Sequence, residues 1–245
     1  TGQTLVSGMG ELHLEVVKHR LLRDYKLNVK IREPRVSYRE TLQNPVDVVG
    51  GGERSLGGVS HFAEINLHAE PLSDSQDVLV DVQSDDETFK PVWREIVLDA
   101  LREETLGGGI IGFPIVGVKL VVTGGVFNEA TTDEPALRYA VGAAYRKALE
   151  EGKSVLLEPI MHLEIQSPDE YVGDVVGDIN QRRGIVLQTH ARGVTTVVEA
   201  ETPLSNLFGY SSALLGLTKG RASCSMTLAK YGPAPAEVVK EFCLD

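Results

Sequence analysis

The sequence is short of cysteine, of basic charge and of long apolar runs, and each shortage removes a class of protein. Two cysteines among 245 residues, Cys224 and Cys243, make no disulfide framework. No CxxC or Cys/His cluster has the spacing of a structural metal site, which fits a reducing cytoplasm. The longest apolar stretch, 110–122, is interrupted by Gly112, Pro114, Gly117 and Lys119, and a spanning helix needs roughly 20 apolar residues, so no membrane segment is expected. The first residues, Thr-Gly-Gln-Thr-Leu-Val-Ser, have neither an initiator Met nor the layout of a signal peptide, and imply a chain cut from a longer one.

The basic deficit is uneven. Against 35 Asp and Glu stand 24 Lys and Arg, a net charge of −11. Residues 1–42 hold 8 basic and 5 acidic side chains, 43–155 hold 9 and 19, and 156–245 hold 7 and 11. Phosphate neutralisation drives nucleic-acid affinity, so this composition argues against free-standing RNA binding, most of all for the middle block.

With 42% hydrophobic residues the chain can bury two compact cores and a fragment. Periodicity predicts a strand over 4–7, a helix whose inward stripe is Leu14, Val17, Leu21, Leu22 and Tyr25, and a strand over 27–31, together half of a domain. A strand over 36–42 follows, then a turn-rich patch at 50–52 and 55–58, and strands over 62–70 and 78–82. Trp93, Ile96, Val97, Ala100 and Leu101 form the stripe of a helix stopped by Gly107-Gly108-Gly109. A strand over 115–123 and a loop over 124–130 lead to capping residues at Asp133 with Pro135 in the first turn of a helix ending near Glu150. From 161 on, the order strand, helix, strand, strand, helix, strand reads as a ferredoxin-like split βαβ fold, which by itself says nothing about function.

Most chemical motifs fail on context. Gly107-x-Gly109-x-x-Gly112 matches a dinucleotide fingerprint, but it follows a helix and precedes a strand, the reverse of what a pyrophosphate site needs. Gly152-Lys153-Ser154 resembles the end of a phosphate-binding loop, yet Lys147 stands where that motif needs Gly. His13 and His19 fall on different helix faces, and His61 and His68 on opposite faces of a strand, so neither pair makes a metal site. Asp85, Asp86 and Glu87 could supply carboxylates for acid/base work in a small enzyme; a solvated turn is the simpler reading. No Ser or Cys has a nucleophile pattern.

Two long ordered blocks carry a family resemblance. Residues 5–15 (Leu-Val-Ser-Gly-Met-Gly-Glu-Leu-His-Leu-Glu) with 21–25 (Leu-Leu-Arg-Asp-Tyr), and 33–41 (Glu-Pro-Arg-Val-Ser-Tyr-Arg-Glu-Thr), resemble the third domain of elongation factor G running into its fourth. Gly112-Phe113-Pro114 and Asp133-Glu134-Pro135-Ala136 look like the fourth domain. The run 177–184 (Gly-Asp-Ile-Asn-Gln-Arg-Arg-Gly), Phe208-Gly209-Tyr210 and 218–222 (Thr-Lys-Gly-Arg-Ala) look like the fifth.

The resemblance implies an α+β chain in three parts. Residues 1–35 would be the second half of a ferredoxin-like third domain. Residues 36–157 would be a mixed α/β fourth domain like the second domain of ribosomal protein S5, and 158–245 a ferredoxin-like fifth domain. It implies a cytoplasmic, monomeric factor that engages the ribosome and the tRNA–mRNA at the decoding site, with GTP and Mg in an N-terminal half outside this chain and no cofactor or catalytic residue within it. Shape mimicry of a tRNA explains how an acidic fourth domain can act sterically.

By that resemblance the tip of the fourth domain would be two loops, 53–61 and 125–131, contributing Ser55, Leu56, Gly57, Gly58, Val59, Ser60, His61, Phe127, Asn128 and Glu129. The first loop departs from the family, being shorter and lacking its basic residue. Asn128 stands where translocases commonly carry His; Asn can donate a hydrogen bond but cannot take a positive charge toward phosphate. Such changes also suit a paralogue specialised in ribosome recycling or protection. In the fifth domain Gln181, Arg182 and Arg183 are either ribosome contacts or charges stabilising a helix C-terminus.

Overall fold

A computed structural model describes Val6 and residues 11–29, 36–72, 75–84 and 87–242. The chain divides into two compact units, one of residues 1–37 with 158–232 and the other of 38–157 with 233–245. Among the described residues no helix is long and apolar enough to cross a membrane, and no three His, Cys, Asp or Glu converge as metal ligands.

At the start of the chain α1 (Glu11–His19) continues into a π-helical turn, Arg20–Asp24. Its expected inward stripe is not buried: Leu14, Leu22 and Tyr25 are exposed. An apolar stripe is buried only where a surface faces it, and among the described residues none covers this one. The strand expected over 27–31 is absent at 27–29, while 30–31, and 4–7 apart from Val6, lie outside the described residues.

In the 38–157 unit, β2 (Val46–Leu56), β3 (Val59–Pro71), β4 (Val78–Val82) and β5 (Val118–Phe127) form a sheet in the order β2-β3-β5-β4, with β4 parallel to β5 and the other pairs antiparallel. Two helices, α2 (Pro91–Gly107) and α3 (Glu134–Glu151), share its core with Ile65, Leu67, Leu120 and Val122 of the strands and Leu101, Leu137 and Ala144 of their own. Each such Leu or Ile contributes about 1.5–3 kcal/mol through burial. The helix α3 lies very close to β2, because a Cβ on Gly50 would stand 2.1 Å from the Ala144 nitrogen. That contact explains why the turn-rich patch at 50–52 is not a turn: the glycines make a strand interior thin enough for a helix to approach.

A short strand, β1 (Arg39–Leu42), pairs antiparallel with residues 154–157 at the start of β6 (Ser154–Ser167). Its Glu40 is wholly buried. The carboxylate accepts from the Ile111 nitrogen (3.1 and 3.2 Å), the Phe113 nitrogen (2.8 Å) and the Ser154 hydroxyl (2.8 Å). A Cβ on Gly109 would lie 2.2 Å from the Glu40 Oε2. The glycine run that imitates a dinucleotide fingerprint is therefore a loop folded round an internal anion. Beside it Tyr38, Phe113 and Phe242 form an edge-to-face cluster with centroids 4.9–5.4 Å apart, anchored by α6 (Ala236–Lys240), a helix the sequence pattern does not reveal.

In the other unit, residues 160–167 of β6 pair with β8 (Thr195–Pro203), which pairs with β7 (Ile185–Arg192), while β9 (Ser223–Pro233) pairs with β6. The order β9-β6-β8-β7 is that of the expected split βαβ fold. Two helices, α4 (Val172–Gln181) and α5 (Tyr210–Leu217), bury Val175, Ile179, Tyr210 and Leu214 against Leu163, Ile165, Val198 and Ala200.

Replacing Glu40 with Ala orphans two backbone donors and a hydroxyl, and is expected to destabilise the 38–157 unit by about 3 kcal/mol or more. Glu40→Gln keeps one acceptor oxygen and should cost less. Urea unfolding measures both, and a Glu40→Ala chain within about 1 kcal/mol of the parent would remove the anchor role.

Candidate functional site

Beyond the last β3–β5 pair, Ala63 with Phe127, the strands β2 and β3 continue together as a two-stranded arm. Glu53 pairs with Phe62, Arg54 with His61, Ser55 with Ser60 and Leu56 with Val59. The arm closes through Gly57 and Gly58, whose φ angles of +59° and +82° fit the tight mirror-image turn that matches strand twist. Four residues of extended chain in each strand give a reach of about 13 Å. The expected loop over 53–61 is thus corrected to a hairpin with a two-residue turn. Alternation in this stretch is masked by glycine and by the short polar run, and only cross-strand pairing reveals it. Likewise β5 runs on to Phe127, so the second loop begins at Asn128 and not at Gly125.

The Asn128 turn is bound to the arm. Phe62 donates its N–H to the Thr131 carbonyl (2.9 Å), and the Thr132 hydroxyl donates to the Phe62 carbonyl (2.7 Å) while accepting from the Asn128 nitrogen (2.8 Å). Glu53, Ser60, Phe62, Asn128 and Thr131 line a common cleft of about 280 Å³. The Asn128 side-chain oxygen accepts from the Ala130 nitrogen (2.9 Å), an Asx turn that occupies its acceptor. On the adjacent side the His61 Nδ1 lies 2.7 Å from Asp133 Oδ2, while Asp133 Oδ1 caps α3 by accepting from the Ala136 nitrogen (3.1 Å). One carboxylate thus ties the arm to a helix N-terminus.

Beyond His61 and Asn128, three more of the named tip residues are engaged within the fold. The Phe127 ring stacks on Phe89 at 4.6 Å and meets Trp93 at 5.5 Å. Glu129 takes the Lys90 ammonium at 2.5 Å, which holds its carboxyl below the usual range. Ser60 donates to Glu53 (2.6 Å). The cations near the arm, Arg54 and Lys90, are residues that sequence reasoning missed. Arg54 lies over the Tyr139 ring at 4.1 Å. Neither is visible from spacing, because their partners are remote in sequence. His68 is held separately by Asp47 at 2.8 Å. Of the rival carboxylate set, Asp85 and Asp86 lie outside the described residues, and Glu87 sits in a turn.

In the other unit Arg182 and Arg183 are both held internally. Arg182 pairs with Asp178 (2.8 Å) and donates to the Asn206 carbonyl (2.9 Å), with its guanidinium 5.1 Å from the Tyr210 ring centre. Tyr210 is pushed up by burial first, then by Cys224 and Asp178, against the opposing Arg182. Arg183 reaches Glu158, which is only 1% exposed, at 2.5 Å. Its backbone, at φ +62°, takes the left-handed position that ends α4, with Gly184 N–H bonded to the Ile179 carbonyl (2.9 Å). Gln181 is exposed at the last turn of the same helix.

Asp133→Ala removes a helix cap and the partner of His61 together, and is expected to cost about 1–2 kcal/mol in urea unfolding. His61→Ala should cost less. The double variant is expected to lose clearly less than the sum of the single losses, the signature of a shared contact, and simple additivity would show the arm and helix to be uncoupled.

Residues 1–33 match the family model for elongation factor G domain III, 34–153 that for elongation factor G domain IV, and 155–242 that for the elongation factor G C-terminus. Elongation factor G of Thermotoga petrophila is 36% identical over 245 residues, covering 98% of this chain, and that of Fervidobacterium nodosum is 36% identical over 242 residues. A crystal structure of a Thermus thermophilus protein, 32% identical, superposes with a TM-score of 0.79 over 96% of this chain. The chain spans 35% of the length of each of these relatives. Matched in three successive segments by one factor's domains and sharing its mixed α+β architecture of two sheets, the chain belongs to the elongation factor G family.

Proposed function

We propose that this chain is the ribosome-engaging portion of a cytoplasmic, monomeric translational GTPase, in three parts over 1–35, 36–157 and 158–245, that promotes tRNA–mRNA translocation by placing its fourth domain in the decoding site. The observation that carries the reading is the arm: a two-stranded ribbon projecting past its sheet, braced at its root by the Asn128 turn and by Asp133. A stiff projection can occupy a site sterically without gripping phosphate, which an acidic domain does poorly. Residues 55–61 and 127–129 are the proposed contacts, with Gln181, Arg182 and Arg183 as the proposed contacts of the fifth domain. GTP and Mg would be bound by the parent outside this chain, and nucleotide-driven rearrangement there would swing the arm into place.

One observation favours a second reading, a recycling or protection role in the same family. The cations near the arm are engaged, Arg54 by Tyr139 and Lys90 by Glu129, and Asn128 uses its acceptor in its own turn. A tip so arranged blocks or displaces more readily than it holds RNA.

The two readings separate in one experiment. The full-length parent is co-sedimented with ribosomes in a non-hydrolysable GTP analogue and mRNA position is read by toeprinting. Binding with movement by one codon is expected, with an arm shortened to Glu53–Phe62 sedimenting normally but moving mRNA more slowly, on the order of tenfold. Binding without movement would select the second reading, and absence of binding would overturn both.

A further inference from the structure

The C-terminal ends of α2 and α3 flank a cleft of about 330 Å³ remote in sequence from the arm. Its lining includes Tyr145 and Leu149, both almost fully buried. The Tyr145 hydroxyl donates to the Gly108 carbonyl (3.0 Å). Glu104 of α2 and Glu150 of α3 contribute carboxylates, and Arg146 is the cation in the lining. The neighbouring acids are neutralised: Glu103 and Glu134 by Arg138, Glu151 by Lys147. Glu104 and Glu150 have no such ion pair among the described residues. Gly142 lets Glu104 fold in against α3, since a Cβ there would lie 2.8 Å from the Glu104 Oε1.

The backbone adds to this field. Both helices present their carbonyl ends near the cleft, and neither carries a basic residue in its last turn, so each terminus keeps its partial negative charge without a cation of its own helix in that turn. The Tyr145 phenol is pushed up first by burial and then by the carboxylates of Glu104 and Glu40. Beside the cleft Leu106 and Ile110 are 86% and 55% exposed, large apolar side chains flanking a polar recess.

We infer that this cleft receives an arginine or lysine side chain from a partner protein, on a segment whose adjacent apolar residues cover Leu106 and Ile110. Charge complementarity decides the occupant: a phosphate would meet two carboxylates and two helix C-termini of its own sign against the single cation Arg146, so nucleic acid is disfavoured. Arginine suits the site better than lysine, because its planar fork can address Glu104 and Glu150 together and its weakly hydrated plane tolerates a recess lined by a ring. The inference stands apart from the proposed role of the arm and would survive its failure.

The test uses the full chain, ¹⁵N-labelled, titrated with acetyl-Leu-Arg-Leu-Arg-Leu-amide and with the same peptide carrying neutral citrulline for arginine. Saturable amide shifts concentrated at Gly107, Gly108, Gly109, Ile110 and Leu149 are expected. Affinity should be about tenfold weaker for the citrulline peptide and for a Glu104→Gln, Glu150→Gln chain, a factor set by one charge-assisted contact, and should fall with added salt. Leu106→Ser leaves the charges intact and should weaken binding several-fold, which guards against misfolding of the double variant. Equal binding of the citrulline peptide, unchanged affinity in the double variant, shifts centred elsewhere or no binding would overturn the inference. So would the same amides shifting with a single-stranded oligonucleotide, or with self-association of the chain.

Discussion

The architecture of the 38–157 unit depends on one buried anion. Glu40 enters the interior on a short strand with no ion-paired cation among the described residues, and the chain answers with backbone N–H groups and a hydroxyl. Such an arrangement is stable only if the donors are fixed in advance, which is why the loop after α2 contains glycines at the three places where a Cβ would collide or a positive φ is needed, Gly108, Gly109 and Gly112. The loop then sets where α2 stops, how Phe113 meets Tyr38, and where Gly108 offers its carbonyl to Tyr145. Removing a buried charge-assisted network costs more than its individual bonds suggest, because the orphaned donors remain buried.

From this anchored end the sheet carries geometry toward the arm. The close seating of α3 on Gly50 holds the helix against β2, and the N-terminus of the same helix holds Asp133 against His61. A single helix therefore transmits position from the core to the root of the projecting hairpin. In the proposed role the arm would act through stiffness and shape, with few side chains left to grip. The charges near the arm are largely satisfied within the fold, consistent with a net charge of −11 that would otherwise hinder approach to RNA.

The fifth-domain arginines illustrate how one residue can serve structure while lying at a surface. Arg183 stabilises the end of α4 through its backbone and neutralises the nearly buried Glu158 through its side chain, so replacing it would disturb the fold before it disturbed any contact. Its remaining exposure is what a ribosomal partner would meet. Arg182, held by Asp178 and Asn206 and lying over Tyr210, is bound more tightly still.

Much of the fold was legible in the sequence. Strand alternation located β4 at its observed bounds, helix stripes found α2 through α5, and Asp133 with Pro135 marked the start of α3, because these signals are local: period, cap and breaker act within a few residues. The family resemblance was legible for the same reason, as ordered blocks. What the sequence could not determine was every feature created by partners far apart in the chain. Gly50 to Gly52 look like a turn until Ala144 stands over them, and Gly107 to Gly112 look like a nucleotide loop until Glu40 fills it. Gly184 looks like the left-handed stop of α4, yet Arg183 takes that conformation and Gly184 is required by its approach to Thr202. The sequence by itself determined most of the helices and strands and the family they belong to. Tertiary structure alone decided that the tip is a braced hairpin and that its neighbouring cations are engaged, because burial and pairing are properties of the assembled core and not of any window along the chain.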